Sequence, residues 1–179
     1  MIQDKILKSK NITLRLMTLT DTENIINWRN KPRVRHNFIY QKLLTREVHL
    51  NWIKTEIDTG KAIQFIIVAG NRDIGTVYLR DIDYDNLKAE YGIFIGEDDA
   101  INFGYGTEAC KLICQYGFEV LKLRKIFLRV FETNISAIHS YKKAGFIRSE
   151  NMSYCKYINN EYKKIIFMNL VNSKNSAYV

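Results

Sequence analysis

The residues best placed to do chemistry lie in one stretch, Ile101-Asn102-Phe103-Gly104-Tyr105-Gly106-Thr107-Glu108-Ala109-Cys110. An apolar strand-like run, Glu90 to Ile95, precedes it, and a long amphipathic helical pattern reaching Leu121 follows. Two glycines let the main chain approach a ligand without Cβ atoms in the way. The unpaired N–H groups and the dipole of the first helical turn then favour an anion such as a phosphate. A plain strand-to-helix turn would have the same glycines, so the stretch alone leaves both readings open. Tyr141 lies in a later helical pattern beside Ala137 and Ile138, where on its own it reads as a core tyrosine. Glu90 opens the strand ahead of the glycines, and His36 sits in an Arg-, His- and Tyr-rich loop; either could accept a proton. His49 and His139 fall in helical patterns as surface or packing residues. Cys110, Cys114 and Cys155 have no adjacent base to make a nucleophile.

Composition narrows the class. The 179 residues fit one domain, with a core over about residues 11–170 and a polar tail at 171–179. One proline and no low-complexity tract leave no linker. The net charge of +8 favours anionic partners, but its Lys and Arg are scattered, and no helix-turn-helix, zinc or RNA-binding signature accompanies them. Three unpatterned cysteines argue for a reducing compartment and against structural zinc. No segment serves as a signal peptide, and none approaches the ~18 apolar residues of a membrane helix. The expectation is a cytoplasmic protein that binds neither metal, membrane nor nucleic acid.

The elements that must position these residues follow from periodicity. Asn11–Met17 alternates as a strand, and Thr20 with Glu23 fits a capping box for a helix carrying Ile25, Ile26 and Trp28. That helix should end near Asn30, because Pro32 disfavours helix in the residue before it, leaving Arg33–Leu44 as loop. Thr45 starts a second helix with Val48, Trp52, Ile53 and Ile57 inward, closed by Gly60. Ala62–Ala69 reads as a central strand, turning through Gly70–Asp73 into Ile74–Leu79. Strands Ala89–Ile95 and Lys125–Phe131 flank the glycine stretch and its helix. Asn134 caps a short helix stopped by Gly145, and Tyr154–Ile158 with Tyr162–Leu170 form a last hairpin. The order β-α-α-β-β-β-α-β-α-β-β predicts an α/β (α+β) mixed sheet with helices on its faces, neither a TIM barrel nor doubly wound.

This order and two motifs resemble the GNAT superfamily of acetyl-CoA-dependent N-acetyltransferases, in the branch of ribosomal-protein N-terminal, spermidine and nucleotide-amino-sugar enzymes. The phosphate loop of that family, Arg or Gln, two residues, Gly, one residue, Gly or Ala, is matched by Ile101–Gly106 except that Ile101 replaces the polar first residue. The motif Asn-x-x-Ala-x-x-x-Tyr-x-x-x-Gly-Phe is complete in Asn134, Ala137, Tyr141, Gly145 and Phe146. Leu14-Arg15-Leu16, Asp21 and Trp28-Arg29-Asn30 also fit the branch.

The resemblance implies the acyl-CoA N-acyltransferase fold, a mainly antiparallel sheet whose central parallel strands splay. Acetyl-CoA would be the co-substrate, with its pantetheine beside Phe94 and Ile95 and its pyrophosphate on the amides of Phe103, Gly104, Tyr105, Gly106 and Thr107. Asn134 would bond the pantetheine or serve only as a helix cap. Tyr141 would be the acid and Glu90 the base, or a solvated strand end, with His36 as the alternative base. Trp28, Arg29, Asn30, His36 and Tyr40 would line the acceptor pocket, although Trp28 and Arg29 also read as core and helix end. No acid occurs from Trp28 to Leu44, so an amino-sugar nucleotide is the preferred acceptor, then a peptide N-terminus, then a polyamine. The resemblance also allows a homodimer, and a non-catalytic acyl-CoA-binding module is the reading from another class.

Overall fold

Period-two alternation in Ile12–Leu16 (β2), Ile63–Ala69 (β3), Arg72–Asp83 (β4) and Lys88–Ile95 (β5) builds one half of a sheet. Lys125–Phe131 (β6), Ile147–Ile158 (β7) and Glu161–Val171 (β8) build the other, and a two-residue strand Leu7–Lys8 (β1) pairs at the edge with β2. This computed structural model describes residues 6–172. The eight strands run in the order β1-β2-β3-β4-β5-β6-β8-β7. Every neighbouring pair is antiparallel except β5 and β6, which are parallel. The tail expected beyond Val171 lies, from residue 173 on, outside the described residues. Among the described residues no helix is long and apolar enough to cross a membrane.

Alternation sends side chains to two different cores. Leu14, Phe65, Ile67, Val77, Leu79, Ala89 and Tyr91 pack with Ala109, Cys110 and Ile113 of helix α4, Tyr105–Glu119. Ile66, Val68 and Phe94 face the other way, onto Ile25 and Trp28 of helix α1, Thr22–Asn30. Helix α5, Ile135–Lys143, lies on the α4 side, where Ala137, Ile138 and Tyr141 join the larger cluster. Phe131, Ile158 and Ile165 form a third cluster with Ile39.

Several local expectations shift. The capping box sits two residues earlier than expected: the Thr18 amide donates to Asp21 Oδ2 at 2.8 Å, while Thr20 bonds Thr18 and Glu23 pairs with Arg46. Asp21 is held because Arg15 reaches both of its oxygens, at 2.9 and 2.7 Å. Pro32 ends α1 as expected but also opens a short helix α2, Pro32–Arg35, in a stretch expected to be loop from Arg33 on. Proline lacks the N–H that a first helical position leaves unpaired anyway. Helix α3, Arg46–Trp52, is capped by Thr45 as expected and runs on as a wider turn, Ile53–Ile57. Its buried stripe is turned by one residue, however: Val48 is exposed and His49 is buried.

Trp28, expected at the acceptor, is a core wedge. It is 4% exposed, and its Nε1 donates to Glu97 Oε1 at 2.7 Å. A Cβ on Gly96 would lie 2.0–2.5 Å from its ring. Gly96→Ala should therefore destabilise by about 1–3 kcal/mol through overpacking. An unchanged urea midpoint would show that Trp28 yields.

His49 stacks on Trp52 at 6.2 Å, and neither ring nitrogen has a partner. Burial, opposed only by Glu23, holds its imidazole below the ordinary value of 6.5. The folded chain thus resists a proton that the unfolded chain accepts near pH ~6.5, so this contribution to stability is lost as pH falls below that value. His49→Leu should flatten the drop in urea midpoint between about pH 7 and pH 5.5 relative to wild type. An equally steep drop would assign the acid sensitivity elsewhere.

Candidate active site

β5 and β6 share only three registered pairs, Lys88 with Lys125, Ala89 with Ile126 and Glu90 with Phe127. Beyond them β5 stays paired with β4 as far as Ile95, and β6 stays paired with β8 as far as Phe131. The strands therefore part, leaving a cleft of about 520 Å³ whose inner walls carry unpaired strand backbone.

At the open end of the fork the chain turns into α4. Asn102 and Gly104 adopt left-handed φ of +67° and +83°, and Gly104 is the residue preceding the first helical turn. A Cβ on Gly104 would touch nothing, so it is the φ that requires glycine there. Gly106 is different. It is helical, costs the helix stability relative to alanine, and a Cβ on it would meet only Ile93 Cδ1 at 3.9 Å. The protein itself has no use for that space. A group seated on the open amides of the α4 N-terminus would use it, and an anion fits both the amides and the dipole there.

Gly104, Tyr105, Gly106 and Thr107 line the cleft, as do Phe94, Ile95 and Asn134. Phe103 does not; it is exposed and stacks on the Tyr105 ring at 5.6 Å. Thr107 Oγ1 and Ser140 Oγ, 2.8 Å apart, tie α4 to α5. Asn134 caps α5 by accepting from the Ala137 amide at 3.2 Å, and its Nδ2 donates to Asn37 Oδ1 at 3.0 Å. Arg33 Nη2 donates to Ile95 O at 3.2 Å, so the α2 segment touches both walls.

Between those walls stands Tyr141. Its ring meets Tyr91 edge-on at 5.7 Å and Phe146 at 6.2 Å, and its hydroxyl has no hydrogen-bond partner among the described residues. Burial, then Cys110 and Tyr78, push its pKa up, so it stays protonated at neutral pH. The cleft therefore presents a protonated phenol hydroxyl that can donate a hydrogen bond to a group bound there.

Glu90 also lines the cleft, but its carboxylate is engaged. Arg129 donates through Nε to Oε1 at 2.9 Å and through Nη2 to Oε2 at 2.8 Å. Arg80 donates through Nε and Nη2 to Oε2 at 3.2 and 3.0 Å. Both carboxylate oxygens are thus taken up by guanidinium N–H groups.

Of the residues expected around the acceptor, only Tyr40 lines the cleft. Arg29 lies behind that lining: its guanidinium sits 3.4 Å over the Phe38 ring and donates to Tyr40 O at 2.6 Å. Burial pushes its pKa down to about 10, and its Nη1 is buried without a partner. Asn30 bonds both the amide and the carbonyl of Leu44, closing the loop at its far end. His36 is exposed and off the cleft. Arg33, Phe38, Tyr78, Arg80 and Arg129 line it instead. Charged residues inside apolar strands, Arg129 between Leu128 and Val130 above all, are the signal that would have found two of them. No group of three His, Cys, Asp or Glu able to hold a metal ion occurs among the described residues.

The family model for the acetyltransferase (GNAT) domain matches residues 11–147. The chain belongs to the GNAT acetyltransferase family. The spermidine N(1)-acetyltransferase of Escherichia coli K12 is 34% identical over 105 residues, which span 59% of this chain and 56% of that one. The Vibrio cholerae O1 spermidine N(1)-acetyltransferase is 24% identical over 167 residues, 93% of this chain and 96% of its own. A crystal structure of Vibrio cholerae spermidine N-acetyltransferase in complex with CoA and spermine superposes with a TM-score of 0.85 at 24% identity, covering 93% of this chain and 98% of that one. At that identity the likeness shows the fold: the splayed GNAT sheet expected above.

Gly106→Ala should raise helix stability by up to about 1 kcal/mol with little loss of acetyl-CoA affinity, since the family's loop takes Ala here, whereas the larger Gly106→Val should weaken binding at least about tenfold. Melting temperature and calorimetric Kd read the two effects. Undiminished affinity in Gly106→Val would mean that nothing approaches the amides of α4 closely.

Proposed function

We propose that this protein transfers the acetyl group of acetyl-CoA to a primary amine by direct attack in a ternary complex. The observation that carries the reading is the fork itself, with amides suited to phosphates at its open end and a protonated Tyr141 between its walls. An extended pantetheine arm would add to the free edges of β5 and β6 as a strand does, through main-chain hydrogen bonds. The neutral amine forms the C–N bond at the thioester carbon. The C–S bond then breaks, the thiolate takes its proton from Tyr141, and the nitrogen gives up its extra proton to water. Solvent reprotonates the tyrosinate, which its raised pKa favours. No covalent enzyme intermediate is needed.

The acceptor that fits this cleft best is an amine carrying negative charge, of the amino-sugar nucleotide type. Arg80, Arg129 and Lys143 line the cleft against one acid, Glu90, which is already paired, while Arg33 also lines it but is neutralised by Asp98 at 2.7 Å. A polyamine needs free carboxylates to receive its ammonium groups. Spermidine is nevertheless the second reading, ahead of a peptide N-terminus, because the relatives above are spermidine acetyltransferases. That reverses the last two places of the order drawn from the sequence. A dodecameric Vibrio cholerae structure of the same type superposes with a TM-score of 0.78, and self-association of this chain is the reading that goes with it.

Tyr141→Phe should lower kcat by at least about 10²-fold and leave the acetyl-CoA Kd nearly intact. Turnover equal to wild type would remove Tyr141 from the acid role. CoA release should be measured with an amino-sugar nucleotide, an N-terminal peptide and spermidine. Turnover confined to spermidine would replace the first acceptor by the second.

A further inference from the structure

The phosphates of the donor do not account for every cation in the cleft. Glu90 stands in register with Arg80 on β4 and belongs to the last paired rung between β5 and β6. Arg129 lies two residues beyond that rung's Phe127, on the same face of β6. From Glu90 to Ile95, where β5 ends, the strand runs roughly 16 Å. Arg80 and Arg129 are therefore at the closed end of the fork, far from the amides that open α4.

They also face the acceptor side. Ala89 and Tyr91 pack under α4, so alternation turns Glu90 toward the layer that holds α1 and Phe38. The Glu90 side chain is 5% exposed, while Arg80 and Arg129 are 33% and 23% exposed. The carboxylate is a buried floor and the guanidinium groups rise from it into the cleft. Each guanidinium carries five N–H donors and gives two to Glu90. Arg80 also has Asp81 Oδ2 at 3.7 Å from its Nε, and the Tyr154 side chain neighbours Arg129. Neither Asp81 nor Tyr154 lines the cleft.

We infer that Arg80 and Arg129, held together by Glu90, form the subsite that takes the phosphate or carboxylate oxygens of the acceptor. The assignment rests on the anionic-acceptor reading above. Two guanidinium groups in one half-buried place repel each other, and a carboxylate beneath them keeps both within reach of one anion. Each remaining edge matches an oxyanion geometrically, which a lysine would not. Glu90 is thereby a positioning residue and not the base. Within the cleft two guanidinium groups stand over one carboxylate, and Asp81, outside it, offsets part of the second positive charge.

The test compares kcat/KM for an amino-sugar nucleotide, the same amino sugar without its nucleotide, and an α-amino acid, in wild type and in Arg80→Met, Arg129→Met and Glu90→Gln. Removing one arginine leaves Glu90 the other, so no buried charge is orphaned; melting temperature and acetyl-CoA Kd verify folding. Wild type should prefer an anionic acceptor by at least about tenfold, the nucleotide if the anion is phosphate and the amino acid if it is carboxylate. Each Met variant should cut that preference at least about tenfold, chiefly through acceptor KM. Glu90→Gln should also act through acceptor KM, with kcat falling less than about tenfold.

Three results overturn parts of this account. A wild-type enzyme indifferent to acceptor charge would end the anionic-acceptor reading. A wild-type preference that survives in both Met variants would end the subsite alone. A kcat loss of about 10²-fold or more in Glu90→Gln for every amine would make Glu90 the base.

Discussion

Two strands that begin paired and are then pulled apart set the conditions for everything else in this fold. β5 is bound along its length to β4, and β6 along its length to β8. Each half-sheet follows its own twist, and three parallel rungs are not enough to hold the inner edges together. Sheet edges with free N–H and C=O groups are normally blunted or covered. Here they are kept inside the molecule, between α5 on one face and the segment from Arg33 to Tyr40 on the other. Buried unpaired backbone is costly, so the arrangement is stable only if water or a ligand completes it.

The fork also separates two kinds of electrostatic work. At its open end the positive potential comes from backbone: the first amides of α4 and the dipole behind them. This suits the loop in which Ile101 stands where a polar side chain is usual, since the amides can hold phosphates unaided. At the closed end the potential comes from side chains, Arg80 and Arg129 over Glu90. Tyr141 lies between, in an apolar setting of Tyr91 and Phe146 that keeps its proton in place. On the reading proposed above, a donor group read by backbone and an acceptor group read by side chains would let the acceptor end differ among proteins sharing the donor end.

The glycine turn, the helix it opens and the Asn134 cap were legible in the sequence because their parts are local. Gly104, Gly106 and the Asn134-to-Phe146 spacing each lie on one strand-turn-helix unit, where spacing alone fixes geometry. The parting of β5 from β6 followed from the resemblance those motifs carry. Glu90 was singled out in the sequence, but its grouping with Arg80 and Arg129 was not legible, because the three come from three strands, and strand register cannot be read from composition. Trp28, Arg29 and Asn30 misled for a related reason. They are near the site in sequence, but a helix presents only one face to it: Trp28 turns to the core, Arg29 supports Phe38 and Tyr40 from behind, and Asn30 holds Leu44. His49 was left between surface and packing and turns out to pack, and the stripe of α3 was drawn through Val48, because an unpartnered imidazole does not announce itself as apolar.

The central claim is that the free edges of β5 and β6 receive the donor as an added strand. Amide hydrogen exchange with and without CoA measures this directly. The account predicts that CoA slows exchange at Gly92–Ile95 and at Phe103–Thr107 together, with little change along β7. Tight CoA binding that leaves Gly92–Ile95 exchanging as fast as in the free protein would contradict it.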